Sequence, residues 1–196
     1  MSLDPAAVLA LALRCAPAVA PETLLAVARA ESGLNPNAIG VNRGAPVTSP
    51  PASPAEAAAV ARRLIGAGGN LDLGLTQINS ANLARLGLSI DDAFEPCRNL
   101  AAGAQILAED YGVAHVPAVD PQAALRTALS LYNTGDVSRG FRNGYVARVV
   151  AAASGAGGPR TSSRPSTPTP PAWDAFGDLG PAAFVTTPAT TSGAAP

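Results

Sequence analysis

The stretch "LLAVARAESGLNP", residues 24–36, contains one acidic residue, Glu31, in an otherwise apolar helical pattern. Counting back from this acid at helical spacing reaches apolar side chains alone, those of Ala28, Val27 and Leu24. The acid therefore continues an apolar stripe, and the sequence predicts a helix that ends with a carboxyl group facing inward. The alternative is a carboxylate at the helix end that simply turns to water.

The overall composition limits the classes of protein to be considered. The chain of 196 residues is 47% hydrophobic, enough for one domain with a substantial core. Its 13 basic and 14 acidic residues give a formal net charge of -1, which provides no broad basic field for nucleic acid. No stretch approaches the roughly 18 consecutive apolar residues of a membrane span. We therefore expect neither a nucleic-acid partner nor a membrane-spanning segment.

A second apolar stripe ends in a polar group in "PQAALRTALSLYNTG", residues 121–135. Here the phenol of Tyr132 follows three apolar residues at helical spacing, so it is also predicted to face inward. Between the two helices, "GLTQIN" at residues 74–79 offers the amides of Gln77 and Asn79. Amides, a phenol and a single acid favour a carbohydrate-type site, with no cofactor and no metal expected.

The remaining patterns predict a mainly α-helical domain. A capping box at Ser53 and Glu56 places a helix start at Pro54, with glycines after Ile65. The extended piece at residues 71–79 predicts a small β-hairpin, and the proline-rich segment 42–54 predicts a loop. The other helices are predicted at residues 4–14, 21–33, 80–86, 97–111, 121–133 and 139–152.

The composition changes after "VVAAASGAGG", where Pro, Ser, Thr, Gly and Ala take over. We predict a folded domain at residues 1–153 and a flexible, disordered tail at residues 154–196. The tail contains "WDAFGDLG", residues 173–180, with the only tryptophan of the protein. Two interpretations stay open for this element: a short docking motif, or aromatic residues that the tail carries by chance.

Three segments occur in the order "ESGLNPNAIG", "DLGLTQIN" and "ALSLYNTG". In order and spacing they resemble the three motifs of the lysozyme-like lytic transglycosylases that cleave peptidoglycan. "FEPCRNL" and "GFRNGYVARVVAAA" are similar to the branch of that family associated with type IV secretion systems. The resemblance covers residues 10–152 and implies a lysozyme-like fold of the goose-type or SLT class, with a small β-hairpin.

The resemblance also assigns roles to individual residues. It implies that Glu31 is the single catalytic acid and that the tyrosine of the third motif, Tyr132, hydrogen-bonds its carboxyl group. The expected substrate-binding residues, to which the amide of Asn79 is added, are Ser32, Gly74, Leu75, Gln77, Asn79, Tyr132 and Asn133. The expected partner is the glycan strand of peptidoglycan.

The implied reaction needs no activated water, because the 6-hydroxyl of N-acetylmuramic acid attacks its own C1. It would leave a 1,6-anhydromuramyl end and open the wall locally for secretion-system assembly. One alternative is a lysozyme-type hydrolase with Asp72 as the second carboxylate, although an Asp beside this glycine is typical of a turn. Another is a non-catalytic peptidoglycan-binding assembly factor whose tail recruits secretion-channel proteins.

The two cysteines, Cys15 and Cys97, are too few for a disulfide scaffold and lack the spacing of a zinc site. Their positions leave two alternatives, one long-range bridge or two unpaired buried thiols. A peptidoglycan substrate implies a bacterial periplasmic location, where a bridge persists. The sequence opens with "MSLDP" and has no Lys or Arg before Arg14, so no signal peptide is predicted from it.

Overall fold

The structure, a computed structural model, describes residues 1–116 and 119–154 of the chain. Apart from Ser154, the predicted tail with its "WDAFGDLG" element lies outside the described residues. Within these ranges the chain is mainly helical, as predicted, and the helices are α1 (Pro5–Cys15), α2 (Pro21–Ser32), α3 (Pro54–Gly66), α4 (Pro96–Ala114), α5 (Pro121–Thr134), α6 (Arg139–Arg142) and α7 (Tyr145–Ala153).

The starts of the long helices follow from local sequence. Helices α1 to α5 each begin with a proline, whose fixed φ and missing N–H suit the first turn. Four of these starts also have a side-chain cap, from Asp4, Ser53, Glu95 and Asp120. In the predicted capping box, Ser53 Oγ accepts from the Glu56 N–H at 3.2 Å, whereas the Glu56 carboxylate accepts from the N–H of Ala52 at 2.8 Å.

Two of the predicted helices differ from the structure. The helix predicted at residues 80–86 is a single 3₁₀ turn, Ser80–Asn82, followed by further turns. The helix predicted at 139–152 is divided into α6 and α7, because Gly144 between them adopts φ 77°. The side chain of Asn143 accepts the N–H of Tyr145 at 2.9 Å and so caps the second segment. This break sets the position of Tyr145 at the start of α7.

A three-stranded antiparallel sheet lies beside the helices, in the order β1 (Ile39–Arg43), β2 (Asn70–Leu73) and β3 (Ile78–Asn79). Strands β2 and β3 are the predicted hairpin. Strand β1 was not predicted, and its last two residues belong to the segment predicted as a loop. It forms because it pairs along β2, with Gly40 opposite Asp72, a long-range interaction that the short segment "IGVNR" does not reveal on its own.

The buried apolar residues form two clusters that define two sides of the molecule. The helical cluster joins α1, α2, α4, α5 and α7 through residues such as Val8, Leu24 and Leu125. The sheet-side cluster packs α3 on the strands through residues such as Leu64 and Leu73. Helix α4 contributes to both clusters, and the turn between β2 and β3 lies where they meet.

A disulfide between Cys15 and Cys97 ties the end of α1 to the first turn of α4, with a Cα–Cα distance of 5.4 Å. Of the two alternatives left by the sequence, the bridge is the one found. Among residues 1–116 and 119–154, no helix combines the length and apolar character required to cross a membrane.

Candidate active site

An open cleft runs along the junction between the helical side and the sheet side of the molecule. Glu31, Tyr132 and Asn133 line it from the helices, and Asn42, Asp72, Gln77 and Asn79 line it from the strands and their connecting turn. The cleft therefore brings together residues from all three sequence motifs, which are far apart in the chain. Its lining is dominated by amides and carboxyl groups.

Glu31 occupies the last turn of α2, and Gly33 caps the end of this helix in the left-handed conformation at φ 59°. Its side chain is mostly buried and faces the cleft, so the predicted inward orientation is found rather than a carboxylate turned to bulk water. The hydroxyl of Tyr145 donates to Glu31 Oε1 at 2.6 Å. The body of Tyr145 is buried in the helical core, and its contact with Glu31 was not predicted from the sequence.

The environment of Glu31 raises the pKa of its carboxyl group to about 7 from an ordinary value of 4.5. Burial is the main cause, because it disfavours the charged form, and the negative charge of Asp72 acts in the same direction. The hydrogen bond from Tyr145 and the positive charge of Arg148 oppose the rise. The carboxyl group can therefore both hold and release a proton near neutral pH.

Tyr132 lies in the cleft, but its hydroxyl donates to the backbone carbonyl of Thr76 at 2.7 Å. The expected hydrogen bond between Tyr132 and Glu31 is therefore not found, since the neighbouring hydroxyl is that of Tyr145. Burial, followed by the charge of Glu31, raises the pKa of Tyr132, so the phenol remains a neutral donor. Tyr132 thus connects α5 to the turn of the second motif.

The turn between β2 and β3, which contains the second motif, has two residues with positive φ. Gly74 adopts φ 77°, and a Cβ atom there would overlap the carbonyl oxygen of Ala93 and the side-chain amide of Asn99. Gln77 also adopts a positive φ, 52°, and its side-chain amide donates to the Gly74 carbonyl at 2.8 Å. The side chain of Gln77 thereby stabilises the turn while it lines the cleft.

The side chain of Asn99, in the first turn of α4, binds the backbone of this motif. This role was not predicted from the sequence. The Oδ1 atom of Asn99 accepts the backbone N–H of Thr76 at 2.8 Å, and its Nδ2 atom donates to the carbonyls of Leu73 at 2.9 Å and Ala93 at 2.7 Å. The side chain is fully buried. The available signal was the amide of Asn99 in "FEPCRNL", which is followed at helical spacing by the small residues Ala102 and Gly103, since a buried amide needs partners.

Three of the residues expected to bind substrate do not line the cleft. Ser32 Oγ donates to the carbonyl of Leu75 at 2.7 Å and to that of Ala28 at 3.0 Å, which fastens the end of α2 to the turn. The Leu75 side chain is 0% exposed and belongs to the helical core. With Gly74 they shape the cleft through the backbone, whereas Gln77, Asn79, Tyr132 and Asn133 face it.

Asp72 lies within strand β2, opposite Gly40 and Asn79, so its assignment to a turn was wrong. Its Oδ1 atom accepts from the side-chain amide of Asn79 at 2.7 Å, and its Oδ2 atom accepts from that of Asn42 at 2.8 Å. Asp72 and Glu31 thus approach the same cleft from opposite sides. In the described part of the chain, no group of three or more His, Cys, Asp or Glu side chains is arranged to hold a metal ion.

Comparison with known families adds independent evidence to this geometry. The profile of the family described as "Transglycosylase SLT domain" matches residues 9–149, which include the whole cleft. The chain belongs to the transglycosylase SLT domain family. In this SLT domain, Glu31 and the turn of residues 74–77 lie within the matched region.

Several curated proteins are similar to this SLT domain. A "Type IV secretion system protein virB1" of Brucella suis is 42% identical over 152 residues, covering 74% of this chain and 63% of the relative. A "Protein virB1" of Agrobacterium fabrum is 40% identical over 170 residues, covering 85% of this chain and 69% of the relative. The chain thus spans less than two thirds of the length of the Brucella relative. No solved structure gives a significant match.

Proposed function

We propose that this SLT-domain protein is a peptidoglycan lytic transglycosylase in which Glu31 acts first as the acid and then as the base. The observation that carries the proposal is the mostly buried carboxyl group with a pKa of about 7, facing a cleft lined by amides and hydrogen-bonded to Tyr145. A group that must donate and then recover a proton works best when its pKa lies near the working pH.

The proposed reaction proceeds in two proton transfers at one carboxyl group. Glu31 donates its proton to the glycosidic oxygen, the C1–O bond breaks, and its electron pair stays with the departing sugar. The 6-hydroxyl oxygen of the N-acetylmuramic acid then bonds to C1, and its proton passes to the Glu31 carboxylate. The product is a 1,6-anhydromuramyl end, and the hydrogen bond from Tyr145 stabilises the carboxylate between the two transfers.

The cleft lining supports peptidoglycan glycan strands as the substrate. The side chains of Gln77, Asn79 and Asn133 offer amide donors and acceptors, which suit the hydroxyl and acetamido groups of a neutral amino-sugar chain. We place the protein in the bacterial periplasm, where this substrate lies. The disulfide between Cys15 and Cys97 fits an oxidising compartment of this kind.

We further propose that the activity opens the wall locally during assembly of a type IV secretion system. The support is a relative that is 42% identical and is named a type IV secretion system protein. Recruitment of channel proteins would fall to the segment 154–196 and its "WDAFGDLG" element. This assembly role is separable from the chemistry of the cleft.

The test is digestion of purified peptidoglycan by the protein and by its Glu31→Gln variant, followed by mass spectrometry of the released muropeptides. We expect sugar ends one water lighter than reducing ends, absent from the Glu31→Gln digest. Glu22→Gln is the matched control, because Glu22 lies in the first turn of the same helix and outside the cleft. It should leave the products unchanged.

Other outcomes of this digestion would overturn the proposal in distinct ways. Ordinary reducing ends would show a hydrolase and point to Asp72 as the residue that activates water. Binding to peptidoglycan without any released product would show a non-catalytic assembly factor. Retention of cleavage by Glu31→Gln at close to the original rate would show that Glu31 is not the acid.

A further inference from the structure

Asp72 is held in place by a network of amides at the cleft. Asn42 and Asn79 each donate to one of its oxygens. The amides of Asn79 and Asn70 bond each other at 2.9 Å, and Asn42 donates to Asn70 at 3.1 Å. N–H donors at both oxygens suit a carboxylate rather than a carboxylic acid, whose proton would need an acceptor. The network therefore fixes a negative charge beside the cleft.

This negative charge has no cationic partner in the described structure. The ion pairs found among residues 1–116 and 119–154 join Arg62 to Asp91, Arg85 to Glu109 and Arg98 to Asp92, and none includes Asp72. A partly buried charge without a counter-ion destabilises a folded protein. A cleft that retains one is suited to a ligand or a reaction that brings positive charge to it.

Glycosidic bond cleavage brings such a charge. As the C1–O bond breaks, positive charge develops over C1 and the ring oxygen of the sugar, in the manner of an oxocarbenium ion. Glu31 and Asp72 line the same cleft, and the charge of Asp72 acts on Glu31, so a sugar that presents its glycosidic oxygen to Glu31 also lies close to Asp72. A fixed anion at that place stabilises the transition state without reorganising.

We propose that Asp72 is the fixed anion of this cleft and stabilises the positive charge that develops at the anomeric carbon. The same charge opposes ionisation of Glu31 before the glycosidic oxygen takes its proton. The inference rests on the proposed transglycosylase function and adds a second carboxylate to it. Asp72 forms no bond to the sugar in this role and does not activate water. It acts by its charge and its position.

The groups that act on Glu31 come from two elements besides its own. Helix α7 brings Tyr145 and Arg148, which both favour the carboxylate, and β2 brings Asp72, which opposes it. Helix α5 brings the neutral phenol of Tyr132 to the cleft, and there the charge of Glu31 raises the pKa of Tyr132. Helices α1 and α4 also pack on α2, and within the described residues they bring no charged group that acts on Glu31.

The test compares the pH dependence of kcat and KM for the unmodified protein and for Asp72→Asn, with a soluble peptidoglycan oligosaccharide as substrate. We expect kcat to fall at least about 10-fold at the optimum, since preorganised charge stabilisation commonly supplies that much or more. KM should change by less than about 3-fold, because the effect belongs to the transition state. The basic limb of the kcat profile should move to lower pH.

Two further variants separate charge from structure. Arg148→Gln removes the opposing positive charge, so it should move the basic limb to higher pH. Asp91→Asn is the matched control, since Asp91 is an exposed aspartate outside the cleft, and it should leave the profile unchanged. If Asp72→Asn does not fold, Asp72→Ala removes the charge without presenting a second amide to Asn42 and Asn79, and the same shift is expected.

An equal loss of activity at all pH values, with the basic limb in place, would show that Asp72 is only structural and would overturn the inference. A rise in KM with kcat intact would show a sugar-binding role instead. These outcomes presuppose that the unmodified protein releases anhydro ends. If it does not, the proposed function fails first, so the two failures are distinguishable.

Discussion

The hydroxyl of Tyr145 lies 2.6 Å from Glu31 Oε1, although 114 residues separate them in the chain. The contact exists because α7 packs along α2 and because the break at Gly144 places Tyr145 at the start of α7. Burial favours the protonated acid, and this hydrogen bond favours the carboxylate. The two effects together keep the free energies of the two protonation states close, as a residue that is both acid and base requires.

We expect Tyr145→Phe to lower kcat by roughly 10- to 100-fold, the equivalent of one hydrogen bond to a charged group. The lost bond favours the carboxylate, so its removal raises the pKa of Glu31 further and moves the basic limb of the kcat profile to higher pH. Tyr132→Phe is the matched control, because that hydroxyl bonds Thr76 rather than Glu31. A basic limb that moves in Tyr132→Phe and not in Tyr145→Phe would reverse the two roles.

Helical periodicity predicted the inward position of Glu31, with a carboxylate turned to water as the alternative, because the spacing of residues along a helix determines which of them share a face. The same periodicity placed Tyr132 inward but could not decide which phenol reaches the carboxyl group. That choice depends on the packing of α7 against α2 and on a glycine break within the predicted helix 139–152. Long-range packing, rather than local preference, determined the answer.

Strand β1 and the contacts of Asn99 also depend on long-range packing and could not be predicted from local sequence. The strand exists through its pairing with β2, and its five residues carry a glycine and an asparagine that local preference assigns to loops. Asn99 has partners at residues 73, 76 and 93, all distant from it in sequence except the last. A buried amide must have hydrogen-bond partners, but only the folded structure shows which residues they are.

Glu31 should make the stability of the protein depend on pH. Its pKa is about 7 in the folded state and 4.5 in the absence of the fold. Between pH 4.5 and pH 7 the folded state therefore binds more protons than the unfolded state. The stability that protonated Glu31 contributes is fully present below pH 4.5 and is lost as pH rises through 7. The shift corresponds to roughly 3 kcal/mol.

We compare the free energy of unfolding of Glu31→Gln with that of the unmodified protein. We expect the difference to change by about 3 kcal/mol in favour of the variant as pH rises from 4 to 8. Glutamine keeps an acceptor for Tyr145 and has no charge to lose solvation. Urea unfolding of both proteins across this range provides the measurement. A difference that does not change with pH would mean that the carboxyl group of Glu31 has an ordinary pKa.

The second motif should tolerate no side chain at Gly74. Gly74→Ala combines a strained left-handed residue with overlap onto Ala93 and Asn99, so we expect the variant to fail to fold or to lose several kcal/mol. Gly87→Ala is the matched control, since Gly87 has φ 65° and open space around its Cβ position. It should cost only about 1 kcal/mol, the strain of the backbone alone. Equal losses for the two in urea unfolding would contradict the steric argument.

The disulfide is expected to stabilise the fold mainly by lowering the conformational entropy of the unfolded chain. Cys15 and Cys97 are 82 residues apart, and closing a loop of that length removes enough chain entropy to stabilise the folded state by about 4 kcal/mol. The double variant Cys15→Ala, Cys97→Ala should lose that amount in urea unfolding. A reducing agent should lower the free energy of unfolding of the unmodified protein by the same amount and leave that of the double variant unchanged.

Because α1 packs on α2, which carries Glu31, reduction should also lower activity near the unfolding midpoint. A loss below about 1 kcal/mol would show that the packing of α1 and α4, rather than the bridge, stabilises this part of the fold.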